Sequence, residues 1–110
     1  MEAGGPEPVV ADAPTESRFE IRLDGEVVGF AAYDRRPGEI AFTHTEIDPS
    51  FEGRGLAGRL ISAALDSVRE EGLPVLPFCP FVRDYIGGHP EYLSLVAPDQ
   101  RERFRLTDGA

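Results

Sequence analysis

The sequence predicts an α+β fold: a mixed sheet in which an antiparallel three-strand meander gains a parallel strand after a central helix crossover. Three observations predict it. Two tight-turn signals, Asp24-Gly25 and Arg35-Arg36-Pro37-Gly38, separate three strand-like runs. One amphipathic run then places Leu56, Ala57, Leu60, Ile61, Ala64, Leu65 and Val68 on a single helical face. A short apolar run at 75–79 follows it, and a strand–helix–strand passage of this length returns by a right-handed crossover to a parallel neighbour.

Residues 1–17 carry Pro6, Pro8 and Pro14 and four acidic residues but no aromatic. That composition does not offset the entropy of ordering, so a flexible N-terminal tail is expected. From Arg18, apolar Phe19, Ile21 and Leu23 alternate with polar residues, the pattern of a half-buried strand. The run at 26–33 is more uniformly apolar, as a central strand is, and a third strand is expected over 39–47. Asp48-Pro49 ends it. The long helix begins after the loop at 50–55 and stops at Gly72, with Pro74 beyond. After the strand at 75–79 come a helical turn or two at 81–86, a break at Gly87-Gly88-His89-Pro90, and a short helix reaching Val96. The organisation expected is a folded domain over 18–97, followed at 98–110 by a tail or weak helix.

The chain has 110 residues, enough for one core. No apolar run is long enough to span a membrane, and the N-terminus has no signal-peptide pattern. One cysteine and two histidines make neither an internal disulfide nor a typical structural zinc site, so no metal is expected. A cytoplasmic monomer is the expectation. The net charge of −9 disfavours nucleic acid and anionic membranes and favours cationic ligands such as amines. All 11 basic residues are arginine, which codon bias in a G+C-rich genome explains.

The loop Gly53-Arg54-Gly55-Leu56-Ala57-Gly58 matches G-x-G-x-x-G literally. A dinucleotide fold is excluded by context, because hairpins join the preceding strands and only one strand follows. The Lys-Ser/Thr ending of a P-loop is also absent. What remains is a glycine-containing loop at a helix N-terminus, suited to binding a phosphate, with a plain tight turn as the alternative.

Four separated motifs carry a resemblance. They are His44-Thr45-Glu46-Ile47-Asp48-Pro49, Gly53-Arg54-Gly55-Leu56-Ala57, Pro77-Phe78-Cys79-Pro80-Phe81-Val82 and His89-Pro90-Glu91-Tyr92. Together, over roughly 19–96, they resemble the small, truncated acetyltransferase-like family of the GNAT superfamily. The resemblance implies a GNAT-like sheet and an acetyl-CoA site built from an R/Q-x-x-G-x-G/A loop. Gly55 and Ala57 match its last two defined positions, and Glu52 stands where Arg or Gln is usual. The implied cofactor-binding residues are Ile47, Arg54, Gly55, Leu56, Ala57, Gly58, Arg59 and Cys79. The strands flanking the gap are expected to splay, leaving room for the pantetheine arm, and Pro77 suits a strand that has diverged there.

Acetyl transfer to an amine needs a base, oxyanion stabilisation and a proton for the leaving thiolate. His44 and Glu46 are the candidate bases. At strand period two they share a face with Ile40 and Phe42, and a solvated strand end for Glu46 and a satisfied packing residue for His44 explain them equally well. Cys79, the lone cysteine, is expected at the thioester end, as nucleophile, pocket lining or small buried hydrophobe. Tyr85, on the following helix, is the candidate acid by resemblance and a core aromatic otherwise. His89 is read as a helix N-cap. The functional expectation is an acetyl-CoA-dependent N-acetyltransferase acting on an unidentified amine by direct attack in a ternary complex. The alternatives are a CoA-binding module with little catalysis and an interaction protein with a purely structural loop.

Overall fold

The computed structural model of the chain describes residues 7–106. A five-stranded sheet in the order β1-β2-β3-β4-β5 forms one layer. Its strands are β1 (Val9–Ala13), β2 (Arg18–Leu23), β3 (Glu26–Arg36), β4 (Glu39–Ile47) and β5 (Val75–Pro77). The first four are antiparallel neighbours and β5 joins β4 in parallel, so the predicted meander and parallel edge strand are both present. Helix α1 (Leu56–Glu71) makes the crossover. Its buried residues are Leu56, Leu60, Ile61, Ala64, Leu65 and Val68, the predicted apolar face apart from half-buried Ala57. Gly72 closes the helix at φ 76°, with its N–H bonded to the carbonyls of Val68 and Arg69. Among the described residues, no helix is long and apolar enough to cross a membrane, and no His/Cys/Asp/Glu group is placed to hold a metal.

The core lies between α1 and one face of the sheet. Phe19, Tyr33 and Phe42 meet there with ring centroids 5.5–6.4 Å apart, beside Ile21, Ile40 and Ala31. Gly29 is glycine because strand spacing leaves no room: a Cβ there would lie 2.5 Å from Ile47 Cδ1 and 2.8 Å from the Glu46 carbonyl oxygen. The C-terminal part comprises α2 (Pro80–Gly88), a 3-10 segment (Pro90–Leu95) and α3 (Pro98–Arg101), with Phe104 and Leu106 buried.

Three expectations are corrected. The predicted flexible tail is ordered in its second half, where β1 pairs along the whole of β2 and Pro14–Glu16 forms a 3-10 turn. The composition rule failed because β1 is held by its backbone ladder to β2 together with side-chain partners distant in sequence. Tyr33 Oη donates to Asp12 at 2.6 Å, Arg35 pairs with Asp12 at 3.4 Å, and Val10 packs against the core. Residues 1–6 of that tail, like 107–110 at the other end, lie outside the described residues. The weak helix allowed for at 98–110 is present as a short helix at Pro98–Arg101, but the expected domain end at 97 is too early, because Phe104 and Leu106 beyond it are anchored in the core. Finally, the expected shared face of Ile40, Phe42, His44 and Glu46 is broken. A bulge in β4 leaves Thr43 unpaired between the His44–Ala32 and Phe42–Tyr33 pairs, and the alternation changes sides there. Ile40 and Phe42 face the core, whereas His44 and Glu46 are exposed.

Candidate functional site

The parallel pairing of β4 with β5 ends at Phe42–Pro77, where proline has no N–H to donate. One further bond, from the Cys79 N–H to the Phe42 carbonyl at 2.9 Å, closes the seam. Beyond it β4 runs on from Thr43 to Ile47 with β3 as its only strand partner. The predicted splay is therefore present, and a cleft of about 310 Å³ opens there. Thr45 and Ile47 form one wall, Gly55, Leu56 and Ala57 at the start of α1 another, and Phe81 of α2 overlooks it.

The α1 N-terminus suits an anion. Its N-cap is Gly55 at φ 75°, a left-handed conformation that glycine adopts without strain, and no side chain caps it. Helix geometry leaves the first-turn N–H groups, those of Leu56, Ala57 and Gly58, without intrahelical acceptors. Arg54 lies over the Phe51 ring at 5.0 Å, and the Arg59 guanidinium has no hydrogen-bond or ion-pair partner among the described residues. Glu52 also lines the cleft and opposes this positive potential.

A second groove, of about 520 Å³, meets the cleft at Gly55. Gly58, Arg59, Ser62 and Ala63 of α1 form one side, and Tyr85 and His89 the other. The Tyr85 and His89 rings stack with centroids 3.9 Å apart. Nδ1–H of His89 donates to the Tyr85 carbonyl at 2.8 Å, so this histidine closes α2 by its side chain; it stands at the N-cap of the next turn without capping it through that side chain. Tyr92 ties this wall to α1, its hydroxyl donating to Asp66 at 2.8 Å and accepting from Ser62 at 3.0 Å. Burial, chiefly, and the Asp66 carboxylate push its pKa up, against the Ser62 bond, which lowers it.

The sequence-predicted residues thus divide among four places. Ile47, Gly55, Leu56 and Ala57 line the cleft; Gly55 continues with Gly58, Arg59 and Tyr85 into the second groove. Cys79 sits at the N-cap of α2 and is 3% exposed, with its Sγ 3.3 Å from Thr45 Oγ1. His44 and Glu46 pair with each other, Nε2 to Oε2 at 2.9 Å, on the sheet face opposite Thr45 and Ile47. Thr45, Phe51 and Phe81 are cleft residues that the sequence reading missed. Thr45 lay inside a quoted motif, but its direction depends on the β4 bulge.

Chemically, this arrangement offers an uncapped helix start for a phosphate, an apolar slot leading to a hydroxyl and a thiol, and an imidazole–carboxylate pair on the same strand. Comparison with known proteins fits it. The sequence model of the GCN5-related N-acetyl-transferase family matches residues 18–95. Protein NATD1 of Mus musculus is 33% identical over 104 residues, 89% of this chain and 92% of the mouse protein. Protein NATD1 of Homo sapiens is 32% identical over 87 residues, 74% of this chain and 75% of that one. A mycothiol acetyltransferase of Thermobispora bispora is 40% identical over 55 residues, 49% of this chain and 18% of the enzyme. Among solved structures, a ribosomal-protein-alanine N-acetyltransferase from Brucella melitensis biovar Abortus 2308 superposes with a TM-score of 0.51 at 23% identity. The match covers 73% of this chain and 59% of that one, a likeness of fold.

Proposed function

This chain belongs to the GCN5-related N-acetyltransferase family, and from that premise we propose that it transfers an acetyl group from acetyl-CoA to an amine by direct attack in a ternary complex. The observation that carries the reading is the cleft at the β4–β5 splay, which joins an uncapped helix start to the Thr45–Cys79 pair. Amide N–H groups of the first turn of α1 receive the pyrophosphate, with Arg54 supplying charge. The second groove receives the nucleotide half, where Arg59 meets phosphate and the Tyr85–His89 stack meets the base. Ile47, Leu56 and Phe81 enclose the pantetheine arm.

His44, oriented by Glu46, takes the proton of the attacking ammonium. The nitrogen forms its bond to the thioester carbonyl as the carbon–sulfur bond breaks, and the departing thiolate takes up the proton that the nitrogen sheds on becoming an amide. Thr45, whose hydroxyl borders the cleft, donates a hydrogen bond at this end, and Cys79 supports Thr45 from behind. Tyr85 stands in the second groove, so its contribution is to binding. A second reading, a CoA-binding module with little catalysis, draws on Glu52, whose carboxylate in the cleft weakens phosphate binding.

The test is release of free thiol from acetyl-CoA against a panel of amines, alongside a CoA-induced thermal shift. Amine-dependent release is expected. A thermal shift without release would favour the binding module, and neither response would overturn both readings.

A further inference from the structure

The sheet face opposite α1 carries a groove of about 480 Å³ lined by Arg18, Val28, Gly29, Phe30, Glu46 and Asp48, among others. We propose that this groove seats the acceptor, and that the acceptor is an aliphatic amine with a second positive charge, an α,ω-diamine. The proposal rests on the acetyl-transfer reading above and adds the substrate class to it.

The strand β4 connects the two sites. Thr45 and Ile47 point to the acetyl-CoA cleft, while His44 and Glu46, alternating with them, point to this face. Among the described residues no strand covers the β5 side of β4 past Phe42, so an amine on the open face reaches the thioester end around that edge. Two carboxylates alone do not make a site; the aromatic floor and the state of Arg18, the groove's one cation among the described residues, do.

Phe30 pairs across the sheet with both Glu20 and Glu46 and lies half-buried in the floor. Arg18 already places its guanidinium 4.5 Å above that ring, so the floor holds a cation in the protein's own structure. Arg18 is committed, bonded to Glu20 at 2.9 Å, and Glu20 is shared with Arg22. Among the described residues Arg18 therefore makes no ion pair with Glu46 or Asp48. Each of those has one oxygen engaged, by His44 Nε2 and by the Ser50 N–H respectively, and one free for a ligand. Strand rise places Glu46 about 7 Å and Asp48 about 13 Å along the chain from His44. An amine reacting at His44 with a second ammonium some six carbons away sets that charge between the two carboxylates, its methylenes running beside the Arg18-covered Phe30 ring.

The experiment compares 1,6-diaminohexane with hexylamine as acceptors, for the native protein and for Asp48→Asn. The variant keeps the oxygen that caps Ser50 and loses the charge. The diamine is expected to show a KM about tenfold below that of hexylamine at similar kcat, an advantage that salt erodes and that Asp48→Asn largely removes. Amide shift mapping with 1,6-diaminohexane alone is expected to move Gly29, Phe30 and Asp48. Those shifts without thiol release for any amine would sustain the groove while overturning acetyl transfer. Equal KM values for the two amines, shifts confined elsewhere, or preferential acetylation of a basic peptide would overturn the groove.

Discussion

Thr45 Oγ1 lies 3.3 Å from Cys79 Sγ, linking the residue that borders the cleft to the only thiol in the chain. The contact spans β4 and the start of α2 at the point where strand pairing has just ended. Cys79 is thereby a buried support with Thr45 between it and the cleft.

Cys79→Ala is accordingly expected to lower kcat by about ten- to a hundredfold, ~1.4–3 kcal/mol in barrier, without abolishing turnover. Cys79→Ser should behave alike, since no nucleophile is replaced, and Thr45→Val should reduce kcat more than it changes the KM for acetyl-CoA. Intact mass after incubation with acetyl-CoA and no acceptor checks the mechanism. A stoichiometric adduct on Cys79 that passes to added amine would establish a covalent relay instead. The chain contains no lysine, so side-chain amine acetylation does not confuse the reading.

The cleft's two opposing charges predict substitutions of opposite sign. Glu52→Gln removes a carboxylate from the wall beside the phosphate site and should tighten CoA binding by about two- to fivefold at low salt. Ala57→Asp adds one in the first turn of α1. A carboxylate there favours the helix dipole, so the thermal midpoint should hold or rise while CoA affinity falls at least about tenfold. Calorimetric titration beside a melting curve separates the two effects.

The long helix and the meander were legible because their signals are local: spacing in one case, Asp24-Gly25 and Pro37-Gly38 in the other. Gly55 and Ala57 were legible for the same reason, as members of one loop. The direction of His44 and Glu46 was not, because one unpaired residue, Thr43, inverts the alternation, and a bulge leaves no mark in hydrophobic periodicity. Strand β1 was hidden differently. Its five residues hold no aromatic, and the partners of its Asp12, Tyr33 and Arg35, stand more than twenty residues away.

Deleting residues 1–17 should therefore destabilise the fold, by about 1–2 kcal/mol or roughly 5–15 °C on a domain of this size. Tyr33→Phe, which removes the hydroxyl bonded to Asp12 and near Arg35, should give a smaller loss and faster amide exchange in β1. Burial, chiefly, and the Asp12 carboxylate raise the Tyr33 pKa. Its contribution is complete below the ordinary tyrosine value near 10 and fades as pH rises through the higher native value. An unchanged melting point on deletion would mean that β1 adds nothing to stability.

Glu20 gives the corresponding prediction in acid. It is 6% exposed on the sheet face opposite α1, and its oxygens accept from Arg18 Nε and Arg22 Nη2 at 2.9 Å each. Burial alone would raise its pKa; the hydrogen bonds and charge of the two guanidiniums outweigh that and hold the carboxyl below its ordinary value of 4.5. A depressed native pKa means that the unfolded chain takes up the proton first. The stabilisation is therefore complete above about pH 4.5 and lost as pH falls through the lower native value. Glu20→Gln leaves two guanidiniums beside a neutral amide and should cost about 1–2 kcal/mol near neutrality. Its penalty should shrink as pH falls through that acid window, so the two melting curves converge there. A penalty of constant size down to pH 3 would show that Glu20 acts by shape and neutral hydrogen bonding, without its charge. The same substitution frees Arg18 from its partner, so a weaker preference for diamines in Glu20→Gln is expected as well, through a guanidinium released toward Glu46.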